Sequence, residues 1–364
     1  MRTWKMIINP KKNKQDAAFC QYFKTNTADA KCMYNTANFY IRNTMTGLKK
    51  SPEERTHLEV EVLHYVFTGI QKANETIGQK RMKKQFEHLK LAQVGGMNCA
   101  VIAYSLASQE PFQYPTAKKW FLSYNMLDAI FKFTNNPVYK RMNSQVNQNA
   151  IRKVIAAWDG YFKSVKRYIA NPEGYTGKPK IPGYKKTDES TAWFSKQVAK
   201  LKEEDGKSYL QFVNQKERFY IGKASAYKGL QYVKTEIKPI YGRYCLLVTF
   251  DDKAKAVKPP ENPERILGLD PGINNFLGVA NNFGAVPFVI KGGAIKSVNQ
   301  RFNKQRARLL SAITKGSDSQ HSVKYSEQLN TLSRKRESFM RDYFYKCAWY
   351  ICRCAQAAGV EVIV

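Results

Sequence analysis

One side chain stands where hydrolytic chemistry could take place. Arg265-Ile266-Leu267-Gly268-Leu269-Asp270 reads as a buried strand that ends on an acid, and Pro271-Gly272-Ile273-Asn274-Asn275 follows as a turn. A strand end would hold the Asp270 carboxylate at the rim of a sheet, where it could bind Mg²⁺ beside a phosphodiester. Two-metal hydrolysis needs several such carboxylates, because two ions about 4 Å apart bring more charge than one acid can offset. Alone, Asp-Pro-Gly also reads as a plain turn. The cysteines and histidines offer no alternative centre. Cys347, Cys352 and Cys354 share one predicted helix at spacings unlike a structural zinc site, and Cys347 and Cys354 can both face a core. His57, His64, His88 and His321 are scattered.

The elements around Asp270 give it a frame. Phe276 to Ala280 and Val286 to Ile290 read as two strands joined by the turn Asn281-Asn282-Phe283-Gly284. Two helices are predicted next, Ser297 to Thr314 and Tyr325 to Ala358, and then a last strand, Val360 to Val364. Upstream, Met1 to Pro10 reads as a strand, and Asp16 to Ala170 is mostly helical. Apolar residues recur there every three or four positions (Phe19, Tyr22, Phe23; Tyr34, Ala37, Ile41). Ser51-Pro52-Glu53-Glu54 predicts a helix start. The helix predicted over Asn143 to Ile169 has an apolar side at Val146, Ala150, Val154 and Ala157. Its basic side, Arg152, Lys153, Lys163, Lys166 and Arg167, is either a solvated bundle face or a phosphate contact. A Gly/Pro-rich break at Asn171 to Tyr184 ends the helical part. Tyr209 to Val213, Arg218 to Ile221, Lys234 to Ile237 and Arg243 to Phe250 then read as short strands that suggest a small barrel or curled sheet.

Charge decides the class of partner. The sequence has 60 Lys+Arg against 29 Asp+Glu, a formal net charge of +31 at pH 7. Self-repulsion on that scale calls for a polyanion, and its spread along the whole chain suits a surface that tracks phosphates. No segment pairs a basic face with a continuous apolar one, and no run approaches the ~20 apolar residues of a membrane span. Nucleic acid is therefore the expected partner, with no membrane. Seven cysteines at irregular spacing, an odd number, argue against a disulfide framework and for a reducing cytoplasm.

Five stretches in order carry a resemblance. Tyr34-Asn35-Thr36-Ala37-Asn38 resembles an N-terminal helix motif. Ser144-Gln145-Val146-Asn147-Gln148, with Trp158, Tyr161 and Phe162, resembles a second helix motif. Gly177 to Lys186 resembles a Gly/Pro-basic segment that opens a wedge domain. Asp270-Pro271-Gly272-Ile273-Asn274-Asn275 resembles the first RuvC motif. Ser297-Val298-Asn299 through Leu332-Ser333-Arg334-Lys335-Arg336 resembles the basic helices after it. Together they are similar to the TnpB family, transposon-encoded RNA-guided nucleases ancestral to the type V CRISPR effectors.

The resemblance implies a multidomain α+β fold: a helical recognition lobe, a β-barrel wedge domain and an incomplete RuvC (RNase H-like) α/β domain. The wedge's first strand is expected at 1–15, the recognition lobe at 16–176, the wedge barrel at 177–262 and the RuvC-like domain at 263–364. It implies a guide RNA and a target double-stranded DNA as partners, in a bacterial, nucleoid-associated protein. Reading of a short motif beside the target is expected of Tyr34, Asn35, Asn38, Ser144, Gln145, Asn147 and Gln148. Grip on nucleic-acid backbones is expected of Lys185, Lys186, Lys296, Arg301, Lys304, Arg308, Arg334, Lys335 and Arg336.

The family's nuclease uses three acids, of which Asp270 is the one matched here. Glu361 falls at the start of its strand rather than the end, about four residues early and over ~10 Å from where an acid is needed. The expectation is a nuclease-dead repressor that acts by occupancy and needs no cofactor to bind, with Mg²⁺ required only if it cuts. The alternatives are a truncated form or partial sequence of an active RNA-guided endonuclease, and a basic RNA-binding structural protein.

Overall fold

The computed structural model describes residues 1–11, 13–95, 111–253, 259–272, 274–315 and 326–364, without side chains at 81 and 84–95. Ile273, His321 and Tyr325, named above, lie outside the described residues, as does the side chain of His88. The chain divides into two compact units, Met1–Pro239 with Tyr244–Lys253, and Ile240–Arg243 with Ala254–Val364.

The first unit begins with β1 (Arg2–Ile8) and α1 (Lys14–Lys49). Asn13 caps α1 by accepting from the Gln15 amide, and Asp16 and Lys49 complement its dipole at the two ends. The helix is long because it serves two cores. Phe19 and Phe23 pack among the strands, against Phe212 and Phe219. Met33, Ala37 and Ile41 join a helical core with α2 (His57–Gly95), α3 (Tyr124–Phe133), α4 (Pro137–Lys140) and α5 (Ser144–Ala170). Trp158 of α5 is fully buried at the centre of that core. The start predicted at Ser51 is a separate single turn of 3₁₀ helix, Pro52–Glu54. The helix proper starts at His57 and is capped by Thr56, whose amide donates to Glu59 Oε2 (2.9 Å) while Glu59 N donates to Thr56 Oγ1 (3.3 Å).

The strands of this unit form two sheets. One is four-stranded in the order β1-β7-β6-β2, built from β2 (Ala192–Ser195), β6 (Gln231–Ile240) and β7 (Arg243–Asp251) besides β1. The other is three-stranded, β3 (Ala199–Glu204), β4 (Lys207–Phe212) and β5 (Phe219–Lys223). The first ten residues thus pair with a strand some 240 positions later, Arg2 opposite Phe250 and Ile8 opposite Tyr244. The barrel expectation is corrected here, since no closed barrel is seen among the described residues. The physical reason lies in the core: Phe19 and Phe23 of α1 pack among the strands, and the four-residue β2 pairs only with β6. The helix α1 contributes to both cores of this unit.

In the second unit, β8 (Ile266–Pro271), β9 (Asn275–Asn281) and β10 (Phe288–Lys291) form an antiparallel run, and β11 (Val362–Ile363) lies parallel to β8. The sheet order is β10-β9-β8-β11, and two helices, α6 (Gly293–Thr314) and α7 (Glu327–Ala357), lie between β10 and β11, the succession of elements read from the sequence. Leu267, Leu277 and Val279 face Ile351 and Ala355 of α7 in its core.

Candidate nucleic-acid interface

Asp270 sits near the end of β8, paired with Gly278 of β9, and is exposed. The turn after it requires a glycine, because a Cβ on Gly272 would lie 2.8 Å from the Asn275 carbonyl oxygen. Among the described residues, no group of three or more His, Cys, Asp or Glu side chains could hold a metal ion. One exposed carboxylate does not hold two ions, so Asp270 alone does not fit a two-metal site. Glu361 lies beside the other end of β8, where its Oε2 accepts from Glu264 N (2.9 Å). Cys347 is buried, and burial pushes its thiol pKa up, as expected of a core residue.

The two helices of this unit carry the cations. Arg301, Lys304, Arg308 and Lys335 are exposed. Arg301, Arg308, Lys335 and Arg336 rim a groove of about 780 Å³ between α6 and α7, floored by Phe302, Leu309, Leu332 and Phe339. The remaining predicted cations already have partners. Lys296 donates to the Asn274 side-chain oxygen. Arg334 bonds Glu327 Oε1 (2.8 Å) and Thr331 Oγ1 (2.6 Å), and Arg336 bonds Asn299 Oδ1 (2.7 Å) over the Phe302 ring. Arg336 therefore ties α7 to α6, Arg334 is held along α7 itself, and Lys335 between them is exposed.

The first unit holds a second, polar cavity of about 540 Å³, and α5 supplies one wall of it. Asn143 caps α5 by accepting from Gln145 N (3.0 Å), which fixes the register of the first turn. Gln145 and Gln148 then face the cavity together with Arg152, while Ser144 is exposed outside it. Ser195 and Gln197, at and just after the end of β2, reach Gln145: Ser195 Oγ donates to Gln145 Oε1 (2.6 Å), and Gln145 Nε2 donates to Gln197 Oε1. The wall also includes Trp193, whose buried indole N–H finds no acceptor among the described residues. Sequence reasoning missed Trp193, Ser195 and Gln197, because a four-residue strand has no periodicity to read.

The structure does not bring the other predicted readers there. Asn38 is fully buried and donates to the carbonyls of Pro182 (3.0 Å) and Gly183 (3.2 Å) while accepting from Trp158 Nε1 (2.9 Å). Asn35 exchanges two bonds with the Lys185 backbone, at 2.8 and 3.1 Å. Tyr34 is buried beneath the Lys185 ammonium, 4.5 Å from its ring centroid, and burial raises its pKa. Asn147, also fully buried, donates to the carbonyls of Tyr139 and Met142. These amides bond protein carbonyls, so the sequence expectation narrows to Gln145 and Gln148. Lys185 is held in the same clamp, whereas Lys186 is exposed. Lys153, expected on a basic face that is either solvated or in contact with phosphate, is half-buried with its ammonium donating to the Thr191 carbonyl (2.9 Å), and burial lowers its pKa.

Residues 233–364 match the family model OrfB_IS605, described as a probable transposase. That stretch is TnpB-like. The matched stretch contains Asp270, both cationic helices and the sheet β10-β9-β8-β11. Two solved structures are also similar. A Cas12f1–sgRNA–target DNA complex aligns at 14% identity and a TM-score of 0.40, over 82% of this chain and 64% of that one. A CRISPR-Cas12f ternary complex aligns at 13% identity and a TM-score of 0.24, over 83% and 62%. At these scores the superpositions are loose, and the chain spans less than two thirds of either solved chain. No curated protein matches the sequence. No described helix is long and apolar enough to cross a membrane.

Proposed function

We propose that this chain is an RNA-guided DNA-binding protein. It holds a guide RNA, reads a short motif beside its target, and pairs the guide with one DNA strand. The observation that carries this is the exposed cation set of α6 and α7, Arg301, Lys304, Arg308 and Lys335, within the TnpB-like stretch of a chain with net charge +31. Such a surface grips backbones without reading sequence, which suits a protein that leaves sequence reading to base pairing. Gln145 and Gln148, presented in a polar cavity, are the groups suited to the short motif, because a carboxamide can pair bidentately with adenine. The guide makes the first test. Protein purified from its own host should carry one dominant transcript encoded near its gene, and a random sample of cellular RNA would contradict guidance.

Repression by occupancy is the reading of output we favour, since a guide–target duplex over a promoter blocks polymerase without any chemistry. It requires only the backbone grip described above, and the wedge and recognition roles of the first unit belong to the same reading. The nuclease reading is favoured by one observation, the exposed carboxylate of Asp270 at a strand end in the sheet β10-β9-β8-β11. Guide-loaded protein incubated with matched DNA and millimolar Mg²⁺ separates the two. Occupancy predicts intact DNA and an Asp270→Ala variant of equal affinity. Guide-dependent nicking lost in Asp270→Ala would establish the nuclease.

A further inference from the structure

The side of α7 that faces away from its sheet has an unusual composition. Towards the sheet, Phe344 stacks on Phe276 (5.1 Å between centroids, 11° between planes), Tyr350 meets Phe288, and Cys347, Ile351 and Ala355 are buried. At 100° per residue the opposite direction is occupied by Tyr345 and Trp349. They are 71% and 64% exposed, so little of either ring packs against the described residues. Arg341 flanks them on one side and Lys346 and Arg353 on the other, all three exposed. The Arg353 guanidinium stands 5.4 Å from the Trp349 ring centroid. Asp342 is the acid nearest the rings along the helix, and Lys346 pairs with it at 2.8 Å.

We infer that this face is a stacking platform for unpaired nucleotides: bases lie on Tyr345 and Trp349, and Arg341, Lys346 and Arg353 take the phosphates. It deepens the proposed function by adding a contact to single-stranded nucleic acid, and it rests on that reading for its biological role but not for its chemistry. Charge selects the partner class, since a protein partner for two bare rings would not call for three cations around them. Geometry selects the single strand. The faces of duplex bases are hidden in the stack, so a duplex could offer this surface only phosphates. The two rings are four residues apart, a rise of about 6 Å along the helix. That exceeds the ~3.4 Å per nucleotide of a duplex strand, so adjacent bases reach both rings only on a strand free to extend.

The full chain, freed of bound RNA by high salt, should be titrated with a fluorescent twelve-nucleotide oligo(dT) and with a twelve-base-pair duplex. Trp349→Ala and Tyr345→Ala should each weaken the single strand about 5- to 100-fold and leave the duplex unchanged. Trp349→Phe should restore most of the loss, and the salt dependence should keep its slope because no cation is removed. Both side chains are exposed, so thermal melting of the variants should match the parent. Unchanged oligo(dT) affinity in both alanine variants would overturn the platform, and so would equal losses on single strand and duplex. A parent sedimenting at twice the mass of one chain, with Trp349→Ala reverting to one, would also overturn it and assign the face to a second copy. Failure of guidance reads out separately, in the identity of the co-purified RNA rather than in oligo(dT) binding.

Discussion

Asn35 and Asn38 on α1 and Gln145 and Gln148 on α5 carry the same functional group in two settings. The α1 amides lie against the Pro182–Lys185 backbone, and each bonds main chain that has no ladder of its own. The α5 amides look into a polar cavity, where Gln145 is held by Ser195 and Gln197. A motif of polar residues on a helix therefore divides by what the rest of the chain lays over it. Where an irregular segment crosses the helix, its unpaired carbonyls take the amides, because leaving them buried and unbonded is costly. Where a short strand only edges the helix, the amides line a cavity and bond other side chains, Gln145 those of Ser195 and Gln197, and Gln148 that of Asp128 (3.5 Å).

Breaking the closed side should cost the most. Asn38→Ala strands the Trp158 indole N–H and the Pro182 and Gly183 carbonyls. About 1–3 kcal/mol of stability should be lost for each group left buried without a partner. Chemical denaturation should show this as a lower midpoint at unchanged slope. DNA sequence preference of the remaining folded protein should not move. On the open side, Gln145→Ala and Gln148→Ala should leave the melting behaviour close to the parent. Each should weaken DNA carrying the preferred adjacent motif by ~1–3 kcal/mol and relax preference at one base, as read by competition binding. Equal weakening on every sequence would make them backbone contacts.

The same contrast holds inside the cation set and gives a smaller effect. Lys335→Gln should reduce the slope of log affinity against log salt by about 1, with little change in stability. Arg334→Gln should instead lower the melting temperature, since it loses its bonds to Glu327 and Thr331. The smallest effect is the acid-side one at the start of α2. Hydrogen bonds from Lys50, then Thr46 and Thr56, hold the Glu59 carboxyl down at about 2 against an ordinary 4.5. A depressed carboxylate contributes stability above its unfolded value and loses it as pH falls through the folded one. The stability difference between the parent and Glu59→Gln should thus be constant above about pH 5 and shrink between about 4.5 and 2. A difference independent of pH would show that Glu59 acts by shape alone.

How much of this could be read from the sequence depended on whether a signal was local. The α5 helix predicted over Asn143 to Ile169 spans Ser144–Ala170, because an Asn cap and a regular apolar face mark both ends. The β8–β9–β10 run and the two helices after it were readable for the same reason, and so was the exposed strand-end position of Asp270. The strand β3, Ala-Lys-Leu-Lys-Glu-Glu, was not readable, since only Ala199 is buried and its outer positions are charged. The absence of a closed barrel was equally hidden. It depends on Phe19 and Phe23 entering the sheet core from a helix nearly 200 residues before β4 and β5. Among candidate site residues, side-chain type was informative and exposure was not. Nothing within Tyr34-Asn35-Thr36-Ala37-Asn38 shows that residues 182–185 will lie across it.

The central claim is that sequence preference resides in a bound RNA, and exchange of that RNA tests it most directly. Protein stripped at high salt should be reloaded with its own co-purified transcript or with the same transcript carrying a new twenty-nucleotide guide segment. Binding should then be measured on DNA matched to each segment, both beside the same adjacent motif. The account predicts that the preferred DNA switches with the guide, while Arg301, Lys304, Arg308 and Lys335 set the salt slope alike in both cases. A preference that stays with one DNA whichever guide is loaded, or binding indifferent to both, would contradict it.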